Sequence, residues 1–113
     1  MFGYKLKVTL HVYTSKTSMK KVNYYIGSNN QTHELEKDKA LAIMSEAYEG
    51  MTTSELVGYW KGSQERTLLV SIVCETVDYT LLKAVCKKIN RELEQDAVMV
   101  EILDSNTLFI DER

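Results

Sequence analysis

The order of local sequence patterns is the feature that most constrains this chain. An alternating stretch is followed by a helical stretch, two extended stretches, a second helical stretch and a last apolar strand. This β-α-β-β-α-β order predicts a ferredoxin-like α+β sandwich, in which two helices lie on one face of an antiparallel sheet. The chain has 113 residues, of which 44% are hydrophobic, enough for one core. We therefore expect a single domain over residues 1–113.

The N-terminal third of the chain contains one clear strand pattern and one long polar segment. Apolar and polar residues alternate from Tyr4 to Tyr13, which predicts a half-buried strand. The segment 14–33 is long for a structureless connection in a compact domain. We interpret it as an insertion that is either a functional loop or a hairpin arm, in which Lys20 to Ile26 pairs with the first strand.

Two amphipathic helices follow from apolar residues at helical spacing. Thr32 is a candidate N-cap of the first helix and Gly50 a candidate stop, while Asp78 is a candidate N-cap of the second. The predicted apolar faces are Ala40, Leu41, Met44, Ala47 and Tyr48 in the first helix, and Leu82, Val85, Cys86, Ile89 and Leu93 in the second.

The remaining strands are predicted from extended, apolar stretches. Met51 to Lys61 and Arg66 to Glu75 indicate a hairpin around a turn at residues 62–65. The second arm is apolar on both sides, which favours a central position in the sheet. Val98 to Leu103 supplies the last main strand.

The sheet face opposite the helices is open in such a fold. Leu69, Val73 and Met99 would lie on it beside polar residues, which leaves the face too apolar for full contact with water. A second copy of the chain is the usual cover, so we expect a homodimer. The alternative is that segment 14–33 or the stretch from Leu108 to Ile110 folds back over the face.

Charge and hydropathy exclude several classes of protein. The formal net charge is -2 and the pI about 5.7, so a nucleic-acid partner is not supported. The chain shows no signal-peptide pattern, and no apolar run approaches the roughly 18 residues of a membrane helix. We expect a cytoplasmic protein with no membrane association.

Signatures of catalytic or metal chemistry are weak. The histidines are His11 and His33, and the cysteines Cys74 and Cys86 lie on elements that look structural, so neither metal nor cofactor is expected. The cysteines are interpreted as buried reduced thiols, with a disulfide or reactive thiol as the alternative. Glycine spacing matches no phosphate-binding loop, and no nucleophile elbow is present. No catalytic residue is assigned.

His11 is a candidate site residue of the first strand. It could form an acid-base pair with Tyr59, Ser71 or Glu101 on the open face. The alternative is a surface or interface histidine without a chemical role.

Two aromatic clusters could contact a partner. Tyr59-Trp60-Lys61 combines stacking surface with a cation, or else packs at the core and sheet edge. Tyr24 and Tyr25 lie close to several lysines, or else belong to a solvated loop. The candidate binding residues are therefore His11, Tyr24, Tyr25, Tyr59, Trp60 and Lys61.

Several short segments carry a family resemblance. They are Tyr48-Glu49-Gly50-Met51-Thr52, Gly58-Tyr59-Trp60, the strand from Leu68 to Cys74, and Glu94-Gln95-Asp96-Ala97-Val98-Met99-Val100-Glu101. Over roughly residues 35–103 the chain resembles a group of small uncharacterised proteins of bacteria and their phages. The resemblance implies a ferredoxin-like fold and no settled activity. Segment 14–33 departs from the group's pattern, so we expect the features specific to this protein there.

These observations together favour a non-catalytic binding protein rather than an enzyme. We expect one encoded by a phage or mobile element that docks on a host macromolecule, such as a defence or regulatory protein. The alternatives are a small-molecule-binding regulator with its pocket near His11 and Tyr59, and a cofactor-free dimeric α+β barrel enzyme.

Overall fold

The computed structural model describes residues 18–110. Its strands and helices are β1 (Ser18–Ile26), α1 (Lys37–Ala47), β2 (Thr52–Trp60), β3 (Ser63–Cys74), α2 (Tyr79–Glu92) and β4 (Met99–Asn106). The four strands form one antiparallel sheet in the order β2-β3-β1-β4. The predicted ferredoxin-like α+β fold is confirmed.

The core lies between the two helices and one face of the sheet. The most buried residues of β1 and β3 alternate along their strands, as expected where one face is covered. The buried core residues are Val22, Tyr24, Ile26, Ala40, Ile43, Met44, Leu68, Val70, Ile72, Val85, Ile89 and Leu93. The predicted central position of the second hairpin arm is confirmed, since β3 pairs with both β2 and β1.

The first strand of the described fold lies inside segment 14–33. Ser18–Ile26 pairs with β3 on one side and β4 on the other, which makes it a central strand rather than an insertion. The interpretation of Lys20 to Ile26 as extended is correct, but its partners differ from the one predicted. Tyr4 to Tyr13, the predicted partner, lies outside the described residues.

The helix ends agree with the sequence pattern at Asp78 and disagree at Thr32. Asp78 Oδ1 accepts a hydrogen bond from the Leu81 backbone N–H at 3.0 Å, so it caps α2 as predicted. Helix α1 begins only at Lys37, with Glu36 in the cap position. Thr32 instead accepts a hydrogen bond from the Glu34 N–H in the preceding loop, so its prediction as N-cap is wrong.

The sheet face away from the helices carries apolar and polar side chains together. Val73, Met99 and Leu103 are 42%, 61% and 42% exposed. Cover of this face by a second copy stays a prediction. No helix in residues 18–110 is long and apolar enough to cross a membrane.

Both cysteines are free thiols packed partly against the core. Cys74 ends β3, and Cys86 lies on the inner side of α2. Burial raises the pKa of each thiol above its usual value, which disfavours the reactive thiolate. The structural interpretation of these residues is the one that the packing supports.

Candidate functional site: a cleft at the end of the sheet

A cleft of about 610 Å³ opens where the loop after β1 meets the β2–β3 turn. This volume lies within the range of about 300–1,000 Å³ that is typical of small-molecule sites. The residues that line it are Ser28, Asn29, Asn30, His33, Lys61, Ser63, Gln64, Glu65 and Arg66. Unlike most ligand pockets, this cleft is lined largely by polar and charged side chains.

The β2–β3 turn forms one wall of the cleft. Trp60 pairs with Ser63, so the connection has only two residues, Lys61 and Gly62. Their φ angles of 48° and 80° are both left-handed, as a type I′ hairpin turn requires. The turn is therefore shorter than the predicted one at residues 62–65, and β3 already includes Ser63.

The loop 27–33 forms the opposite wall and is organised by Asn29. The Asn29 side chain is buried, and its Oδ1 accepts hydrogen bonds from the backbone N–H groups of Gln31 and Thr32 at 2.7 and 3.1 Å. The Asn29 carbonyl accepts a further bond from the His33 N–H at 2.7 Å. An asparagine that bonds its own following backbone in this way holds a turn closed.

The carboxylate of Glu65 joins the two walls. Its Oε1 accepts a hydrogen bond from the Ser28 backbone N–H at 2.8 Å, while the Ser28 hydroxyl donates to the Arg66 carbonyl at 3.0 Å. Gly27 permits this close approach, because a Cβ at that position would collide with Glu65 Oε1. Among the described residues that line the cleft, Glu65 is the only carboxylate.

Cationic side chains line the same cleft. Arg66 lines the cleft and also pairs with Glu55, with Nη2 and Oε1 2.8 Å apart. Lys61 is the second cationic side chain of the lining. A cleft with one carboxylate and two cations suits a ligand that carries charges of both signs.

The predicted binding residues are scattered rather than gathered in one site. Lys61 lines the cleft, and Tyr59, which is 73% exposed, pairs with the cleft residue Gln64 in the sheet. Trp60 ends β2 beside them. His11 lies outside the described residues. Binding by these residues stays a prediction.

Tyr24 belongs to the core. It is fully buried, and its hydroxyl lies 2.5 Å from that of Tyr48. Burial, reinforced by this hydrogen bond, raises the pKa of Tyr24 far above the usual range, so the phenol stays neutral.

Tyr25 points to the opposite face of the sheet and joins a polar cluster there. Its hydroxyl donates to Glu101 Oε1 at 3.1 Å, and the Asn23 side-chain amide donates to the same oxygen at 3.1 Å. The Ser71 hydroxyl donates to Asn23 Oδ1 at 2.6 Å. Of the partners considered for His11, Ser71 and Glu101 are thus linked through Asn23, whereas Tyr59 pairs at the far end of the hairpin.

Sequence reasoning missed Glu65, Ser28 and Arg66 as site residues. Glu65 was predicted in a turn and Ser28 in a loop, and no sequence motif links residues that are 37 positions apart. The only usable indication was that both lie in predicted turns, since turns at the same end of a sheet can lie close together. Within residues 18–110, no group of three or more His, Cys, Asp and Glu side chains is arranged to hold a metal ion.

Comparison with known proteins gives a family match. The sequence model of the S-adenosylmethionine lyase family matches residues 25–112. A solved structure of a phage SAM lyase in the apo state has a TM-score of 0.67 at 14% identity, covering 89% of this chain and 96% of that one. A de novo designed protein, Foldit4, has a TM-score of 0.38 at 12% identity over 80% and 97% of the two chains. A search of the curated proteins finds no match.

The family match corrects two predictions. A non-catalytic binding protein was expected, but the matched family is one of lyases, which are enzymes, so the predicted function and the expectation of no enzyme are wrong. The predicted resemblance to small phage-associated proteins agrees with the phage origin of the solved structure, whereas the description of that group as uncharacterised is wrong.

Proposed function

The chain belongs to the S-adenosylmethionine lyase family, and from this premise we propose that it cleaves S-adenosylmethionine in the cleft at the end of the sheet. One observation supports the location: a cleft of about 610 Å³ is lined by the carboxylate of Glu65 together with the cationic side chains of Lys61 and Arg66. The loop 27–33, the β2–β3 turn and the start of β3 would then form the substrate site.

The charges of the cleft support this substrate. S-adenosylmethionine carries a positive sulfonium, a positive ammonium and a negative carboxylate. The Glu65 carboxylate suits the cationic part of the molecule, and Arg66 and Lys61 suit its carboxylate. Paired recognition of both signs would distinguish the substrate from neutral nucleosides.

The substrate supplies its own leaving group. A lyase acting on this substrate would break the bond between the sulfonium sulfur and Cγ of the methionine part without adding water. The electron pair of that bond moves to the sulfur, which leaves as a neutral thioether. Either the substrate's own carboxylate attacks Cγ as the bond breaks and closes a lactone, or a base removes a proton from Cβ and leaves a double bond between Cβ and Cγ.

Glu65 has a different task in each route. In the elimination Glu65 would accept the proton, since it is the only carboxylate among the described residues of the cleft. In the lactone route it holds the cationic substrate so that the attacking oxygen and the carbon are aligned. The amino-acid products of the two routes are isomers, so chromatography against standards separates them.

The test is incubation of the purified protein with S-adenosylmethionine, followed by chromatography and mass spectrometry of the products. We expect a neutral adenosyl thioether and one of the two isomeric products. The Glu65→Gln variant should lose about 100-fold or more in kcat/KM. Glu46→Gln is the matched control, because Glu46 lies on α1 and pairs with Lys88 outside the cleft.

Two results would contradict the proposal. If the wild-type protein leaves S-adenosylmethionine intact, the activity is wrong. If it cleaves the substrate and Glu65→Gln is as active as Glu46→Gln, the activity is right and the site is elsewhere.

A further inference from the structure

The end of helix α2 contacts the cleft loop from behind. Gln95 is 9% exposed, and its side-chain Nε2 donates a hydrogen bond to the Gly27 carbonyl oxygen at 2.5 Å. The Asn30 N–H donates to the Glu94 carbonyl at 3.1 Å, which ties the loop to the same turn a second time. Residues 94 and 95 therefore contact the loop but do not line the cleft.

The direction of the Gln95 side chain is fixed by how α2 ends. Glu94 has a left-handed φ of 51°, and the Gln95 N–H donates to the Asn90 carbonyl at 3.0 Å. This is the backbone pattern of a Schellman helix end, which reverses the chain direction in one residue. The buried amide of Gln95 is thereby held beneath the loop.

Gln95 and Glu65 act on one and the same peptide group. The carbonyl of Gly27 and the N–H of Ser28 belong to a single planar unit. Its oxygen accepts the bond from Gln95, and its N–H donates to Glu65 Oε1 at 2.8 Å. A hydrogen bond to the carbonyl fixes the plane of the peptide and strengthens its N–H as a donor.

We propose that Gln95 is a positioning residue, which orients the Glu65 carboxylate through the Gly27–Ser28 peptide. This inference rests on the proposed function, because it assumes that Glu65 recognises the cationic centre of S-adenosylmethionine. Gln95 touches no substrate. Its loss should therefore weaken recognition of positive charge without weakening recognition of the adenosine part.

The experiment compares two ligands by isothermal titration calorimetry. Sinefungin carries an ammonium group where the substrate has its sulfonium, and S-adenosylhomocysteine is neutral there. The readout is the ratio of their dissociation constants, which isolates charge recognition from general damage to the site. The proteins are wild type, Gln95→Met, Glu65→Gln and the double variant.

We expect the wild type to prefer sinefungin and Gln95→Met to lose about tenfold of that preference, the scale of one hydrogen bond to a charged group. The double variant should have the same ratio as Glu65→Gln alone, because Gln95 acts only through Glu65. Asn106→Leu is the control, since it also replaces an amide with an apolar group, at the opposite end of the sheet.

Several outcomes would overturn the inference. A folded Gln95→Met protein with the wild-type ratio contradicts it, and so does a double variant whose losses add. If Gln95→Met does not fold, Gln95→Glu answers the same question, because it keeps the shape and places a carboxylate against the Gly27 carbonyl. If the wild type neither cleaves S-adenosylmethionine nor prefers sinefungin, the proposed function fails first. If it cleaves the substrate and only the ratio test fails, the positioning role alone is wrong.

Discussion

Tyr24 and Tyr25 are adjacent in sequence and lie on opposite faces of the sheet, in environments that differ in nearly every respect. Tyr24 is fully buried under the helices, and its hydroxyl is hydrogen-bonded to that of Tyr48. Tyr25 lies on the open face, where its hydroxyl donates to Glu101. Successive side chains of a strand lie on opposite faces of the sheet. Here one face is covered by the helices, so its polar atoms must hydrogen-bond to one another, whereas the other face is still open to a partner.

Substitutions at neighbouring positions of β3 give the sharpest version of this comparison. Leu68 is fully buried, so Leu68→Ala should destabilise the protein by about 2–5 kcal/mol through lost burial and a cavity. Leu69 is only partly buried and lies on the open face, so Leu69→Ala should lower the unfolding free energy clearly less than Leu68→Ala. Urea unfolding monitored by circular dichroism measures both.

The predicted homodimer would break the asymmetry between these two leucines. If a second copy covers the open face, Leu69→Ala should cost about as much as Leu68→Ala, and its cost should depend on protein concentration. If the destabilisation by Leu69→Ala is small and independent of protein concentration, no second copy covers the open face.

At the end of the sheet, unlike on either face, we expect a substitution to affect activity more than stability. Gly27 is the position that tests this. In Gly27→Ala the new Cβ must displace the Glu65 carboxylate, so we expect kcat/KM for S-adenosylmethionine to fall about 100-fold. Stability should change by only about 1 kcal/mol, because the displaced atoms are the tip of a flexible side chain. Gly50→Ala is the control, as nothing lies within 4 Å of its added Cβ. A Gly27→Ala protein as active as the wild type would contradict the proposed site.

The two central strands were unequally easy to predict from the sequence. The run from Leu68 to Val73 is apolar except at Ser71, and the helices carry apolar residues at helical spacing, so β3 and the helices on it could be predicted from the sequence. In β1, Lys20 and Lys21 precede the buried Val22, and Asn23 separates Val22 from Tyr24, so this polar content hid a central strand within segment 14–33.

The cleft was the least predictable part for a physical reason. Its central contact joins the Glu65 side chain to the Ser28 backbone N–H, and every residue other than proline has such an N–H. Only the fold brings these two groups together. The same holds for Gln95. It was noted as part of a sequence motif, but its partner is a backbone carbonyl, which the sequence cannot identify.

The hydroxyls of the two tyrosines provide a smaller test of the faces. Tyr24→Phe should destabilise the protein by about 1 kcal/mol, because it leaves the partly buried Tyr48 hydroxyl without its partner. Tyr25→Phe should stay within about 0.5 kcal/mol, since Glu101 is exposed and water can replace the lost bond. Equal effects in urea unfolding would mean that the open face is as dry as the core, which again requires a covering partner.

Alkaline pH supplies the smallest effect and tests how completely the covered face excludes water from Tyr24. The pKa of Tyr24 is raised by burial, so this group adds stability that is fully present below the unfolded-state pKa of about 10 and is lost as pH rises towards the folded-state value. At pH 10.5 the loss should be about 0.8 kcal/mol, because the unfolded chain releases a proton that the folded protein keeps. Tyr24→Phe should therefore show a shallower fall in unfolding free energy between pH 9 and about 10.5 than the wild type. If the two proteins have the same slope, Tyr24 ionises as readily in the folded state as in the unfolded chain, and the covered face admits more water than its packing implies.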